Sequence, residues 1–422
     1  MIETYKRLLL TNPRLLGFGF IMVFCSSVGQ TFFIGVFGPQ IQLEFDLSHT
    51  SWSTIYMIGT LVSAITMLWS GPLVDHFKLQ NFSLVVCVFM IAACLFIPTV
   101  RGPLSLCFGI FLLRQSGQAL AAHTGLTSMA RYFAKERGSA LALASLGQSL
   151  AEATLPVVAV AAIAIYGWRW TYGGTAIILA AISIPIVFWL LQGHEKTHSR
   201  HLRELETVTK QTITDVPDWT RSQVLRDVRF YLLLPGTVAT SMIITAFFFH
   251  HLNIAEHKGW DASWITGNYV LYAVTSMVAM LSAGSLIDRF SARKVTKYKL
   301  VPLALAALTI GMFDHYLFVL PYMVFLGLNV GFAHTSASAL WAELYGVKNI
   351  GSVKSLMLAI SVFASAIGPV IIGLLLDNGF TMDAACLMIA VYTIVGNILI
   401  VVALNIQPRQ LHPSDTSSKP QY

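Results

Sequence analysis

The chain has 422 residues, of which 55% are hydrophobic and only 11% charged. A soluble domain carries about 25% charged residues, so this composition excludes an ordinary soluble core and implies one embedded in a membrane. The formal net charge of +7 would suit a nucleic-acid partner only if the basic residues shared a face, and their placement along the chain argues for a membrane instead.

Met1 to Arg14 is short and basic, and the apolar run after it is long enough to span. That run is expected to act as a signal anchor, not a cleaved signal peptide. Crossing the hydrocarbon core takes about 20 apolar residues per helix. Twelve such runs follow one another at 15–41, 51–72, 82–99, 104–130, 138–165, 170–191, 228–252, 262–286, 298–313, 317–342, 350–375 and 379–404. The longest polar stretch, 192–227, divides them six and six. The expected organisation is an N-terminal six-helix bundle (1–191), a linker (192–227), a C-terminal six-helix bundle (228–405) and a polar tail (406–422). The linker, which ends in Val224-Leu225-Arg226-Asp227, reads as a surface helix or tether without chemistry of its own. The five cysteines all fall in apolar runs without metal-ligand spacing. They read as small buried apolar residues, and no metal or cofactor is expected.

With both termini cytoplasmic, 23 of the 27 lysines and arginines lie in inner loops and termini, and three (Arg101, Arg169, Lys258) lie outside. Acidic residues divide as 12 inside and seven outside, giving net charges of +11 and −4. The positive-inside rule therefore places both termini in the cytoplasm, with the plasma membrane of a bacterium as the expected location.

The two halves also repeat one another. Gly71-Pro72-Leu73-Val74-Asp75-His76-Phe77 ends the second run, and Gly284-Ser285-Leu286-Ile287-Asp288-Arg289-Phe290 ends the eighth, 213 residues later. The same offset pairs Tyr132 with Tyr345, Gly138 with Gly351, Ala153 with Ala366 and Pro156 with Pro369. Six is even, so the copies share one orientation. The fold class is all-α and integral to the membrane: twelve transmembrane helices as two parallel six-helix repeats, with a substrate site expected between them near the midplane.

These features resemble the major facilitator superfamily of transporters over nearly the whole chain. The family's loop signature, roughly G-x-L-x-D-R-x-G-R-R, is met by Gly71, Leu73 and Asp75, and more fully by Gly284, Leu286, Asp288, Arg289 and Arg293. The resemblance implies a gating role for Gly71, Asp75, Gly284, Asp288 and Arg289, with Arg131 as the partner of Asp75. Gly71 and Gly284 are expected to let helices pack closely at the moving interface. Arg131-Tyr132-Phe133, Arg137-Gly138, Tyr166-Gly167-Trp168-Arg169, Phe248-Phe249-His250-His251 and Gly259-Trp260 are similar to the monocarboxylate and oxalate/formate-porter branch.

Arg114 in the fourth run and Glu152 in the fifth are the two charged residues left near mid-membrane. A charge at that depth costs a few kcal/mol or more unless it faces protein or water, so it marks a pathway or a structural pair. The hairpin geometry puts them about 4.5 Å apart along the axis, at 1.5 Å per residue. Gln118 shares a face with Arg114, and Gln148 with Glu152. Three readings stand: the guanidinium binds an anionic substrate group, Glu152 carries a coupling proton, or the two form a static pair. At offset 213 the second copy has Gly327, Gly331, Ser361 and Ser365 at the four positions, which favours the functional readings. Helices one, four, seven and ten line the cavity in the family, often with five and eight. That makes Gln30, Thr245, Tyr272, Asn329 and His334 further lining candidates.

The expected activity is secondary active transport of a small organic solute by alternating access. An organic anion bearing a carboxylate is favoured, with proton coupling or exchange through Glu152. No nucleotide-binding loop or catalytic set is present, so an enzyme is not expected. The expected partners are a small anionic substrate and the bilayer, without nucleic acid, for a monomeric carrier. A multidrug or metabolite exporter of the same superfamily, and a non-transporting membrane sensor or assembly partner, are the alternatives.

Overall fold

This computed structural model describes residues 2–133, 136–193, 219–346 and 350–406. Every regular element among them is helical. Nine helices are long and apolar enough to cross a membrane unaided. One of these, Gly138–Leu190, runs through two spans. The bent first span and the interrupted fourth, which fall outside those nine, bring the described spans to twelve.

Each irregularity has a local cause. The first span is helical over Pro13–Ser26, tightens over Ser27–Gly29, and resumes at Thr31–Ile34 after Gln30 adopts an extended conformation (φ −87°, ψ 155°). Its two parts meet at 44°. The Ser26 hydroxyl donates back to the Val23 carbonyl at 2.7 Å, competing with the helical ladder where it breaks. The fourth span runs Pro103–Leu113, continues as a π-helical segment over Arg114–Ala121, and returns to α over Ala122–Tyr132. A π segment inserts an extra residue per turn and displaces the side chains that follow. The fifth and sixth spans form one run, Arg137–Leu190, broken only at Gly167 (φ 74°, ψ 165°). A side chain at that φ would be strained, so glycine turns the chain there. Arg169 then ties the turn down, with Nε donating to Glu44 Oε1 at 3.1 Å and Nη2 to the Val100 carbonyl at 3.0 Å.

Helix pairing repeats between the halves. The first span packs on the fifth, the second on the fourth and the third on the sixth. The seventh packs likewise on the eleventh, the eighth on the tenth and the ninth on the twelfth. Backbones approach closely in the matching pairs: a Cβ at Gly147 would lie 2.3 Å from the Phe20 carbonyl oxygen, and one at Gly368 2.1 Å from that of Met242. With no hydrophobic drive between helices in lipid, such contact is what holds them together.

At the end that carries the termini, each bundle is tied to itself. Arg7 donates to Glu136, and Lys297 Nζ to Asn405 Oδ1 at 2.6 Å. Asp227 caps the seventh span by accepting from Arg229 N at 3.0 Å, and its carboxylate also takes Arg229 Nε at 2.9 Å and Tyr345 Oη at 3.1 Å. Both partners of this ion pair are buried. Trp219 stacks edge-on against Tyr345 and donates its backbone N–H to the Tyr345 carbonyl at 3.0 Å. Residues 219–227 thus dock on the tenth span, and 194–218 lie outside the described residues. The partner, Tyr345, stands 118 positions along the chain, beyond any local pattern.

If backbone contact holds the seventh and eleventh spans together, Gly368→Ala should lower stability by about 1–3 kcal/mol through overpacking. Gly174→Ala, where nothing lies within 4 Å of the added methyl, should change it little. Thermal unfolding of the two purified variants in one detergent separates them, and equal shifts would sink the packing account.

Candidate substrate and coupling site

The break in the first span and the π segment in the fourth lie against each other. A Cβ at Gly29 would sit 2.2 Å from the Leu113 carbonyl oxygen, and one at Gly117 2.8 Å from the Gly29 Cα. The first span unwinds where it presses on the fourth, and the unwinding leaves carbonyls without helical partners. Arg114, the first residue of the π segment, uses one of them: its Nη1 donates to the Gly29 carbonyl at 3.1 Å. The guanidinium also lies over the Tyr56 ring, 5.2 Å from its centre. Tyr56 is held by the Thr31 hydroxyl at 2.5 Å. Arg114 is only 3% exposed, and Gly29 is its one hydrogen-bond acceptor among the described residues.

Glu152 is buried too. Gln148, one turn earlier, donates to its Oε1 at 2.9 Å. The run that holds Glu152 packs on the eighth span, in the opposite bundle. Among the described residues no ion pair joins Arg114 to Glu152, and neither has another charged partner. The static pair, the third of the sequence readings, is not formed in this conformation. Arg114 turns toward the first and second spans, and Glu152 toward Gln148 of its own span.

The remaining candidates divide. Gln118 lies in the π segment with its backbone N–H beside Gly29, and its buried Oε1 has no hydrogen-bond partner. Gln30 is the extended residue at the break itself. Tyr272 is buried with its ring edge-on to Phe248 at 5.0 Å. Thr245 is half-buried on the seventh span. Asn329 is fully buried and donates to the Lys299 carbonyl at 2.8 Å, tying the tenth span to the start of the ninth. The side chain of His334 lies outside the described residues. Tyr56 was not a sequence candidate, because nothing in one apolar helix signals that a cation in another will rest on its face.

In the gating motif, Arg131 donates to Asp75, which joins the loop after the second span to the end of the fourth. The side chain of Asp288 and the surroundings of Gly284 are outside the described residues. Arg289 stacks over Phe290 at 5.2 Å. The second copy has a latch that the motif did not indicate. Glu343, at the end of the tenth span, accepts the backbone N–H groups of Ala292 at 2.7 Å and Arg293 at 3.2 Å. A carboxylate there satisfies the orphan donors of a helix start, as a capping side chain does. The atoms nearest an added Cβ at Gly71 belong to Met67 of its own span.

The family profile described as Major Facilitator Superfamily matches residues 19–315 and 251–421. The chain therefore belongs to that superfamily and is a membrane transporter. No curated protein matches the sequence. Among solved structures it is similar to the nucleoside transporter NupG, at 12% identity and a TM-score of 0.70, covering 94% of this chain and 99% of that one. It is also similar to an inward-facing bacterial homolog of the human lysosomal transporter Spinster, at 12% identity and a TM-score of 0.66, covering 93% and 97%. At that identity the likeness is one of fold.

Tyr56 tests the geometry around Arg114. Tyr56→Phe keeps the aromatic face and loses only the Thr31 bond. Tyr56→Leu removes the face and should cost about 2 kcal/mol of stability, the worth of a desolvated cation–π contact. Thermal unfolding that ranks the two variants the other way would show that the stacking does not hold the guanidinium.

Proposed function

We propose that this member of the Major Facilitator Superfamily carries a small organic anion, bearing a carboxylate, by alternating access between two six-helix bundles. The observation that carries the reading is a guanidinium, 3% exposed, with one backbone acceptor and no carboxylate partner among the described residues. A buried charge without a counter-ion costs several kcal/mol. A ligand carboxylate that completes the remaining N–H donors would repay part of that cost, and a planar fork suits a carboxylate better than a point charge would. The motif similarities to the monocarboxylate and oxalate/formate-porter branch support the same substrate class.

Glu152 is the coupling residue in this reading. It bonds to a neutral amide on a run that packs against the opposite bundle, so a proton on it would change how the two bundles attract one another. The charge asymmetry of the loops supports cytoplasmic termini. A second reading, an exporter of cationic or neutral metabolites, is favoured by one feature: Glu152, like Arg114, lacks a charged partner and could meet a cation.

Proteoliposomes loaded with a panel of mono- and dicarboxylates, amines and sugars decide between them. Arg114→Gln should weaken carboxylate binding by about 10-fold to 100-fold, the worth of a charge-assisted bond at 1.5–3 kcal/mol. Glu152→Gln should preserve solute exchange while abolishing uptake driven by a pH gradient. Carboxylate transport with unchanged affinity in Arg114→Gln would overturn the assignment, and amine uptake lost in Glu152→Gln would favour the exporter.

A further inference from the structure

At the end away from the termini the two bundles meet along a polar seam outside the proposed site. Asp377, the last residue of the eleventh span, accepts from the backbone N–H groups of His49 at 3.2 Å and Thr50 at 2.8 Å. These are first-turn donors of the second span, His49–Ser70, which a helix cannot satisfy itself. Ser48 takes the Ser51 N–H at 3.1 Å. The acceptor for one bundle's helix start is thus supplied by the other bundle.

Beside it, His250 on the seventh span is fully buried. Its Nε2 lies 3.0 Å from the Pro369 carbonyl, which can only accept, so Nε2 carries the proton. The same N–H reaches Ser53 Oγ of the second span at 3.4 Å, and the Ser53 hydroxyl donates to the His49 carbonyl at 2.7 Å. Nδ1 then accepts from Asn253 Nδ2 at 3.0 Å, whose other hydrogen faces His49 Nδ1 at 3.3 Å. Backbones touch on either side: a Cβ at Gly373 would lie 2.7 Å from the His49 carbonyl oxygen, and one at Gly35 2.6 Å from that of Phe248.

We propose that this seam is the gate closing the site on the far side, and that the Asp377 carboxylate is the residue that holds it shut. The exposed edge explains why it can open. Asp377 is solvent-exposed, so water takes over its bonds and those of the second span's first turn as the bundles part. The gate also touches the site, since Phe249, next to His250, packs on Tyr56 at 4.7 Å, and Tyr56 lies beneath Arg114. The inference rests on alternating access but not on the identity of the solute.

The test uses no substrate, so it fails separately from the assignment of Arg114. Ser53, fully buried at the seam, is replaced by cysteine, and a membrane-impermeant maleimide is applied from the far side in right-side-out vesicles. Labelling at position 53 is read by peptide mass spectrometry. Asp377→Ala should raise the labelling rate by about tenfold, equivalent to 1.4 kcal/mol. Asp377→Glu, which keeps the carboxylate, should restore most of the slow rate. Gly373→Trp should raise it furthest by wedging the seam open. Ser183→Cys, buried in the sixth span away from the seam, should stay unlabelled in every background. An unchanged rate in Asp377→Ala, or an equal rise at position 183, would overturn the proposal.

Discussion

A cation buried at bilayer depth must be answered by something, and here the protein answers it only in part. Arg114 has a carbonyl at 3.1 Å and an aromatic face at 5.2 Å. Both are weak substitutes for a carboxylate, which would bring full charge neutralisation. Much of the surrounding structure follows from holding the guanidinium there. The first span unwinds to offer the carbonyl, the fourth adopts a π segment at the same level, and Gly29 and Gly117 let the two backbones touch. The irregularity lies where the chain is enclosed by protein, which is where a membrane tolerates it.

The repeat shows what the second bundle does with the equivalent positions. Gly327 and Gly331, which correspond to Arg114 and Gln118, pack against the eighth span. An added Cβ would lie 2.6 Å from the Tyr272 carbonyl oxygen and 2.4 Å from that of Ser276. These glycines are therefore not idle sites from which charge was omitted; they make a close helix crossing. One bundle uses these positions for packing and the other for a charged side chain, and each answer needs its own backbone.

Charge elsewhere is concentrated at the two ends, where water moderates its cost. The terminus-bearing end holds Asp75 with Arg131, Arg7 with Glu136, and Glu343 on a helix start, all within one bundle or the other. The far end holds Asp377 across both bundles. Asp227 and Arg229 form a buried pair at the terminus-bearing end, joined through Arg229 Nε and flanked by a tyrosine hydroxyl and two aromatic faces. Removing one partner of such a pair typically costs 3–5 kcal/mol, roughly, while the intact pair adds little net stability.

Hydropathy and loop patterning were enough to read twelve spans and the internal repeat, because each is a property of composition or spacing along the chain. The fourth run, read as 104–130, is found as Pro103–Tyr132, and the ninth, read as 298–313, as Val301–Met312. The π segment and the unwound first span were not legible, since an inserted residue or a broken ladder leaves hydropathy unchanged. The two mid-membrane charges stood out in the sequence, but whether they meet depends on side-chain direction across packed helices. Only the tertiary structure turned Arg114 onto Gly29, 85 positions earlier, and brought Asp377 to the start of a helix 328 positions before it. Partners so far apart are selected by how helices pack, and no local pattern encodes that choice.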